Sequence, residues 1–213
     1  MPEHHLSFLP SKWLKDATNI CCRSARYQPL LVDSQNMIFQ ATKVSGVFEI
    51  DLEIKTDERG FFARSWCTRE FEQRGLNPNL AQCNISFNSQ KGTLRGMHYQ
   101  ADGFAEAKLV RCTRGAVYDV AIDMRPDSAT FMSWIGAELT AANRRALYIP
   151  EGCAHGFLTL SDEAEVFYQM SEFYHLEAAC GVRWDDPAFG ITWPGAVVVI
   201  SERDRTYPDF EPK

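Results

Sequence analysis

The sequence predicts a mainly β protein, an antiparallel sandwich or barrel with few helices. From Ile38 onward, short runs rich in Val, Ile, Phe and Tyr recur at near-regular spacing, the pattern of many short strands. Loops dense in turn-forming residues, "RPDSATF", "TAANR", "PEGCAHG" and "LSDEAE", separate them. In this part of the chain helical spacing is confined to "TREFEQRGL", where Phe71 and Leu76 share a face and Gly75 supplies a cap.

The elements follow in order. "GVFEIDLEIKTDERGFFARSW" alternates apolar and polar residues, with turn chemistry at "DERG". After the short helix come "QCNISFN", "TLRGMHYQ", "KLVRCTR", "GAVYDVAIDM", "WIGAELT", "RALYIP", "GFLTL" and "EVFYQMSEFY", each a strand candidate. "GVRWDDPAFGITWPG" reads as loop with two tryptophans. Residues 1–36 differ: they lack a period of two and are punctuated by Pro2, Pro10 and Pro29. Two readings stand for them, an N-terminal extension without fixed structure or a stretch upstream of a true start at Met37. Residues 37–213 read as a single domain.

Composition sets limits. The chain has 213 residues, 45% of them hydrophobic, enough for one sizeable core. A net charge of -6 and the lack of a long basic tract argue against nucleic acid as a partner. No apolar run is long enough to span a bilayer, so no membrane partner is expected. "MPEHHLSFLPSKWLKD" has no signal-peptide core, which makes the cytoplasm the expected compartment. Seven cysteines without a CxxC spacing suggest reduced thiols, with Cys67, Cys83, Cys112, Cys153 and Cys180 as small buried hydrophobes.

His98, in "LRGMHYQ", is the first candidate for chemistry. In a straight strand Leu94, Gly96, His98 and Gln100 share one face, and Arg95, Met97 and Tyr99 the other. A bulge at Gly96 brings Arg95 and His98 into one cavity. The alternative is a hydrogen-bonded histidine with no chemical role, and this stretch alone leaves both open. His155 sits in "PEGCAHGF", a tight loop before a strand. Its P-x-G-x-x-H spacing resembles the second half of the cupin signature. The first half of a metal cupin carries H-x-H; here "HYQ" puts Gln100 at the second position. That is a poor donor set for a first-row metal, so no metal is expected. His175 lies in a loop without an evident partner.

Taken together, "DERGFF", "QCNISFN", "GTLRGMHYQ", "KLVRC", "RGAVYDVAIDMRPDS", "IPEGCAHGF", "EVFYQMSEFY", "RWDDPAFGITWP" and "SERD" run in order from about Met37 to Arg205. In that order they resemble the dTDP-4-dehydrorhamnose 3,5-epimerase family, metal-free members of the cupin superfamily. The resemblance implies a cupin-type jelly-roll barrel and a homodimer with exchanged N-terminal strands. It implies a nucleotide-sugar substrate and no cofactor. The activity implied is epimerisation of a nucleotide-linked 4-keto-6-deoxy sugar, on the way to rhamnose or a related sugar of surface polysaccharide.

By resemblance, His98 is the base, paired with Asp204 in "SERDR"; Tyr168 is the acid and Lys108 faces the developing oxyanion. Without the resemblance, Asp204 reads as a solvated acid, Tyr168 as a packed strand aromatic and Lys108 as a solvated lysine. Arg59 and Arg95 match diphosphate-binding positions, and arginine suits phosphate through its fork geometry. Gln82 and Asn84 match polar contacts to the nucleotide, Tyr174 a residue that stacks on the base, and His155 a pocket-lining histidine. Phe62 matches an aromatic donated across the dimer. Asp119, Asp123, Arg125, Trp184 and Asp186 read as structural. One departure stands out: Arg64 occupies a position where many members carry a glutamate that contacts the nucleotide. That opens CDP- or GDP-linked sugars and inversion at one carbon as alternatives. A metal-dependent cupin enzyme and a non-catalytic sugar-binding cupin complete the competing readings.

Overall fold

A computed structural model of the chain describes residues 36–101 and 103–212. Apart from Asn36, the expected extension over residues 1–36 lies outside the described residues. Two antiparallel sheets dominate. The first holds β1 (Met37–Ala41), β2 (Phe48–Leu52), β5 (Gln82–Asn88), β7 (Lys108–Arg114), β10 (Ala146–Ile149) and β12 (Ala164–Met170), in the order β1-β2-β10-β7-β12-β5. The second holds β6 (Thr93–Gln100), β8 (Ala116–Asp123), β9 (Trp134–Thr140), β11 (Cys153–Thr159) and β13 (Ala179–Gly181), in the order β13-β6-β11-β8-β9. A two-residue strand, β14 (Val199–Ile200), adds to β6 in parallel. A separate hairpin joins β3 (Lys55–Asp57) to β4 (Gly60–Phe62). Helices are short: α1 (Thr68–Glu72) and α2 (Glu202–Arg205), with one 3-10 turn at Leu176–Ala178. This is the jelly-roll expected.

The alternation read in the sequence is what closes the barrel. On β12, Ala164, Val166 and Met170 are buried while Glu165, Phe167 and Gln169 are partly exposed. Inward residues of both sheets, among them Val110, Cys112, Val117, Leu139, Leu147, Phe157 and Val166, form the interior core. Burying each of the Val, Leu and Phe side chains contributes about 1.5–3 kcal/mol. Outside the first sheet, Phe71 of α1 packs with Met37, Ile50, Leu109 and Tyr148. Outside the second, Val182, Phe189, Trp193 and Phe210 of the C-terminal segment cover Met97, Val120 and Ile122. Gly75 caps α1 as expected: its φ is 68° and its N–H donates to the Glu72 carbonyl.

Three expectations change. The run "EVFYQMSEFY" stops being strand at Met170, because Ser171 turns there and bonds the Ala107 backbone in both directions. β11 begins at Cys153, ahead of "GFLTL", since β8 pairs with it from that residue on. Cys83 is exposed rather than buried, on the outward face of β5. Cys112 and Cys153 are buried, and burial pushes the Cys153 thiol up to about 12.

Candidate active site

The site begins with a flaw in a strand. Opposite β11, His98 faces His155 and Arg95 faces Phe157, so Gly96 and Met97 of β6 meet the single residue Gly156. That is the bulge anticipated at Gly96. Its geometry demands glycine on both strands. Gly96 has φ 134°, and a Cβ there lies 2.4 Å from the Gly156 Cα. A Cβ on Gly156 lies 2.7 Å from the Arg95 carbonyl oxygen. The extra residue turns Arg95 and His98 toward the same space, and both line one cavity of about 920 Å³.

The bulge also frees the Gly96 N–H from the ladder, and it donates to Asp204 Oδ2 at 3.2 Å. The other carboxylate oxygen, Oδ1, bonds His98 Nε2 at 2.7 Å. Asp204 arrives on α2, which Ser201 caps by accepting from the Asp204 N–H at 3.1 Å. Burial raises the Asp204 carboxyl, but the bonds from His98, Gly96 and Ser201 outweigh it and hold the group below the usual carboxylate range. An ionised Asp204 only accepts, so Nε2 is the nitrogen that donates to it, which leaves Nδ1 as the ring nitrogen that can accept a proton when the imidazole is neutral.

His155 has a carboxylate too. Its Nε2 lies 2.9 and 3.0 Å from the two oxygens of Asp119, on the neighbouring strand β8. Asp119 is fully buried, and that burial, stronger than the pull of His155 and Lys108, pushes its carboxyl up.

The facing sheet supplies the rest in rows set by register. Tyr168 lies between Asn84 and Val110, and Met170 between Gln82 and Lys108. Gln82, Asn84, Lys108 and Tyr168 therefore line the same cavity as His98, His155 and Asp204. Burial pushes the Tyr168 phenol up despite the opposing pull of Arg95, so it holds its proton at neutral pH. The Lys108 ammonium pairs with the Glu106 carboxylate and lies 3.4 Å from the His98 carbonyl. Tyr174 lines the mouth and contacts Arg203, whose Nε donates to the Tyr207 hydroxyl at 2.8 Å.

Arg59 and Phe62 do not reach this cavity. They sit on the β3–β4 hairpin, where Phe62 is 63% exposed and Arg59 pairs with Asp57. Arg64 turns to its own fold and donates to Glu70 Oε1 at 3.0 Å, while Glu70 Oε2 accepts from the Met37 N–H. Gln100 is a clamp: its amide donates to the Phe104 and Phe173 carbonyls and accepts from the His175 N–H. His175 stacks on Phe104 at 4.0 Å. Asp123 binds Arg125, and Asp186 takes the Ala188 and Phe210 N–H groups, the structural roles expected.

Sequence reasoning missed Glu106 and Arg203 and set Asp119 aside as structural. Glu106 stands two residues before Lys108, the spacing that puts extended side chains on one face, and Arg203 adjoins Asp204. Asp119 is visible only once β8 is paired with β11.

A jelly-roll cavity that joins a histidine–carboxylate pair, a protonated tyrosine and a buried lysine is a cupin-like site whose groups can give and take protons. The chain belongs to the dTDP-4-dehydrorhamnose 3,5-epimerase family, whose model matches residues 41–212. It is 45% identical over 172 residues to a dTDP-4-dehydrorhamnose 3,5-epimerase of Methanothermobacter thermautotrophicus, covering 79% of this chain and 92% of that one. Among solved structures, the dTDP-4-dehydrorhamnose 3,5-epimerase of Elizabethkingia anophelis NUHP1 superposes with a TM-score of 0.79 at 40% identity, covering 82% of this chain and 96% of that one. A dTDP-6-deoxy-D-glucose-3,5-epimerase of Legionella pneumophila Philadelphia 1, in complex with dTDP-4-keto-L-rhamnose, gives a TM-score of 0.74 at 39% identity over 79% and 90% of the two chains.

Proposed function

We propose that the protein epimerises a dTDP-linked 4-keto-6-deoxy sugar, converting dTDP-4-dehydro-6-deoxy-D-glucose to dTDP-4-dehydro-L-rhamnose in deoxysugar synthesis. The observation that carries this is the His98–Asp204 pair opening on the cavity that Tyr168 and Lys108 also line. The ketone acidifies the C–H bonds on the two carbons beside it. His98 Nδ1 takes one such proton, and Asp204 stabilises the imidazolium that forms. The electrons move to the ketone oxygen as an enolate, beside the Lys108 ammonium. Tyr168 then gives its proton to the opposite ring face, and the configuration inverts.

Arg95, Gln82, Asn84 and Tyr174 line the same cavity and are suited to diphosphate and base. His155, its ring fixed by Asp119, lines the sugar end. Arg59 and Phe62 complete the site of a second copy, making the protein a homodimer; the exposed hairpin, with Phe61 48% and Phe62 63% exposed, supports this. Residues 37–213 act as the single epimerase unit. Five free thiols among the described residues support a cytoplasmic setting, and among those residues no helix is long and apolar enough to cross a membrane. With Arg64 bonded to Glu70, its difference from the family's glutamate bears on the fold as much as on the nucleotide, and the dTDP-sugar relatives support dTDP over CDP or GDP.

The test is solvent deuterium incorporation. Incubated in heavy water with dTDP-4-keto-6-deoxyglucose, the protein should place two deuterons on the sugar, read by mass and proton NMR. One deuteron means inversion at a single carbon. None, with the CDP and GDP sugars silent as well, overturns the reading in favour of a sugar-binding cupin.

A further inference from the structure

Glu106 lies in the cavity wall and is 4% exposed. Its Oε1 accepts from Lys108 Nζ, and both side chains of the pair are more than nine-tenths buried. Its Oε2 is buried with no hydrogen-bond partner among the described residues. A carboxylate that serves the fold looks different here. Asp123, equally buried, is bonded by Arg125, Ser128 and Thr130 through both oxygens. Taking a carboxylate out of water for one partner and an empty second oxygen is costly to stability. Among the described residues, the one side-chain hydrogen bond Glu106 makes is with Lys108, the one lysine lining the cavity.

Lysine is a flexible four-carbon stem ending in a point charge with three donors. Unrestrained, its ammonium samples many positions. Here one donor goes to Glu106 and a second points along the 3.4 Å contact to the His98 carbonyl. A third remains for whatever enters the cavity. The same contact ties Lys108 to the backbone of the base, so the group that abstracts the proton and the group that meets the resulting oxyanion share one frame.

We propose that Glu106 is a positioning residue: it holds the Lys108 ammonium in the cavity wall, with one N–H left for the oxygen on which enolate charge develops. The inference rests on the epimerase reading above. Glu106 touches no reacting atom; it acts through Lys108.

Glu106→Gln keeps an acceptor for Lys108 and removes the charge, whereas Glu106→Ala removes both. Each is compared with wild type for kcat, KM and thermal unfolding. The Lys108 ammonium is followed by 15N-detected NMR of protein without substrate. We expect kcat to fall about tenfold in Glu106→Gln and about a hundredfold in Glu106→Ala, with KM changed by less than about threefold. The ammonium signal, sharp and protected in wild type, should broaden in Glu106→Ala and be partly retained in Glu106→Gln. Wild-type kcat in both variants, or a change confined to KM, overturns the proposal. If Glu106→Ala does not fold, the Glu106→Gln kinetics and spectrum decide alone. If wild type itself exchanges no proton on any nucleotide-linked 4-keto sugar, the epimerase reading has failed. The spectrum then still judges the positioning: no protected Lys108 signal in wild type overturns it, and a protected signal weakened in the variants upholds it.

Discussion

His98 and His155 face each other across two paired strands, and each bonds an aspartate through Nε2. The resemblance ends there. Asp119 comes from the adjacent strand of the same sheet, is fully buried, and has its carboxyl pushed up by that burial. Asp204 comes from a segment that joins the sheet through the two residues of β14, and its carboxyl is held down. The His98 side chain is 41% exposed and that of His155 10%. One pair is built into the wall and the other is assembled at its lip. A base needs the second arrangement, with access to substrate and a partner that stays ionised. A histidine that only lines and orients is served by the first.

The largest expected effect is at His98. His98→Asn should lower deuterium incorporation by at least about a thousandfold while nucleotide affinity, measured by calorimetry, stays close to wild type. Exchange at the wild-type rate would move the base elsewhere. Next is Asp204→Asn, expected to reduce kcat by about a hundredfold with little change in KM, since the imidazolium loses its counter-charge and tautomer control. Asp119→Asn should cost about tenfold in kcat, through loss of ring orientation alone. Equal losses for the two aspartate variants would erase the distinction between the pairs.

The smallest effect is a difference in titration. Asp204, held below its ordinary 3.8, contributes stability that is complete above that value and is lost as pH falls through its depressed pKa. Asp119, raised, behaves in the opposite sense: its contribution is complete below 3.8 and lost as pH rises through its elevated pKa. In a carboxyl-carbon NMR titration downward from neutral pH, Asp119 should take its proton before Asp204 does. The reverse order would contradict the burial argument.

The walls of this site were legible in the sequence because their information is local. β5, β6 and β7 match "QCNISFN", "TLRGMHYQ" and "KLVRCTR" to the residue, since period-two patterning is written in each run. Gly96 announced the bulge that turns Arg95 and His98 the same way. β13 and β14 carry no such pattern. At three and two residues they exist because the outer edge of β6 is there to pair with. For the same reason Asp204 looked like an acid in a charged tail; only the family resemblance lifted it out, and the strap that delivers it is a tertiary fact. Asp119 needed the β8–β11 register, and Glu106 needed Lys108 to be recognised as buried. Arg59 and Phe62 are site residues by resemblance, yet their hairpin does not line the cavity of their own chain.

The order of the pieces along the polypeptide has a temporal consequence. Every strand of the two walls through β12, and His98 with them, leaves the ribosome before Asp204 does. During synthesis the barrel and its sugar cavity can close while the imidazole still lacks its carboxylate. Val198 and Val199 bond the Gly92 carbonyl at 2.8 and 3.1 Å, and the Gly96 N–H waits for Asp204. The segment that brings the carboxylate to His98 thus emerges after the container it completes.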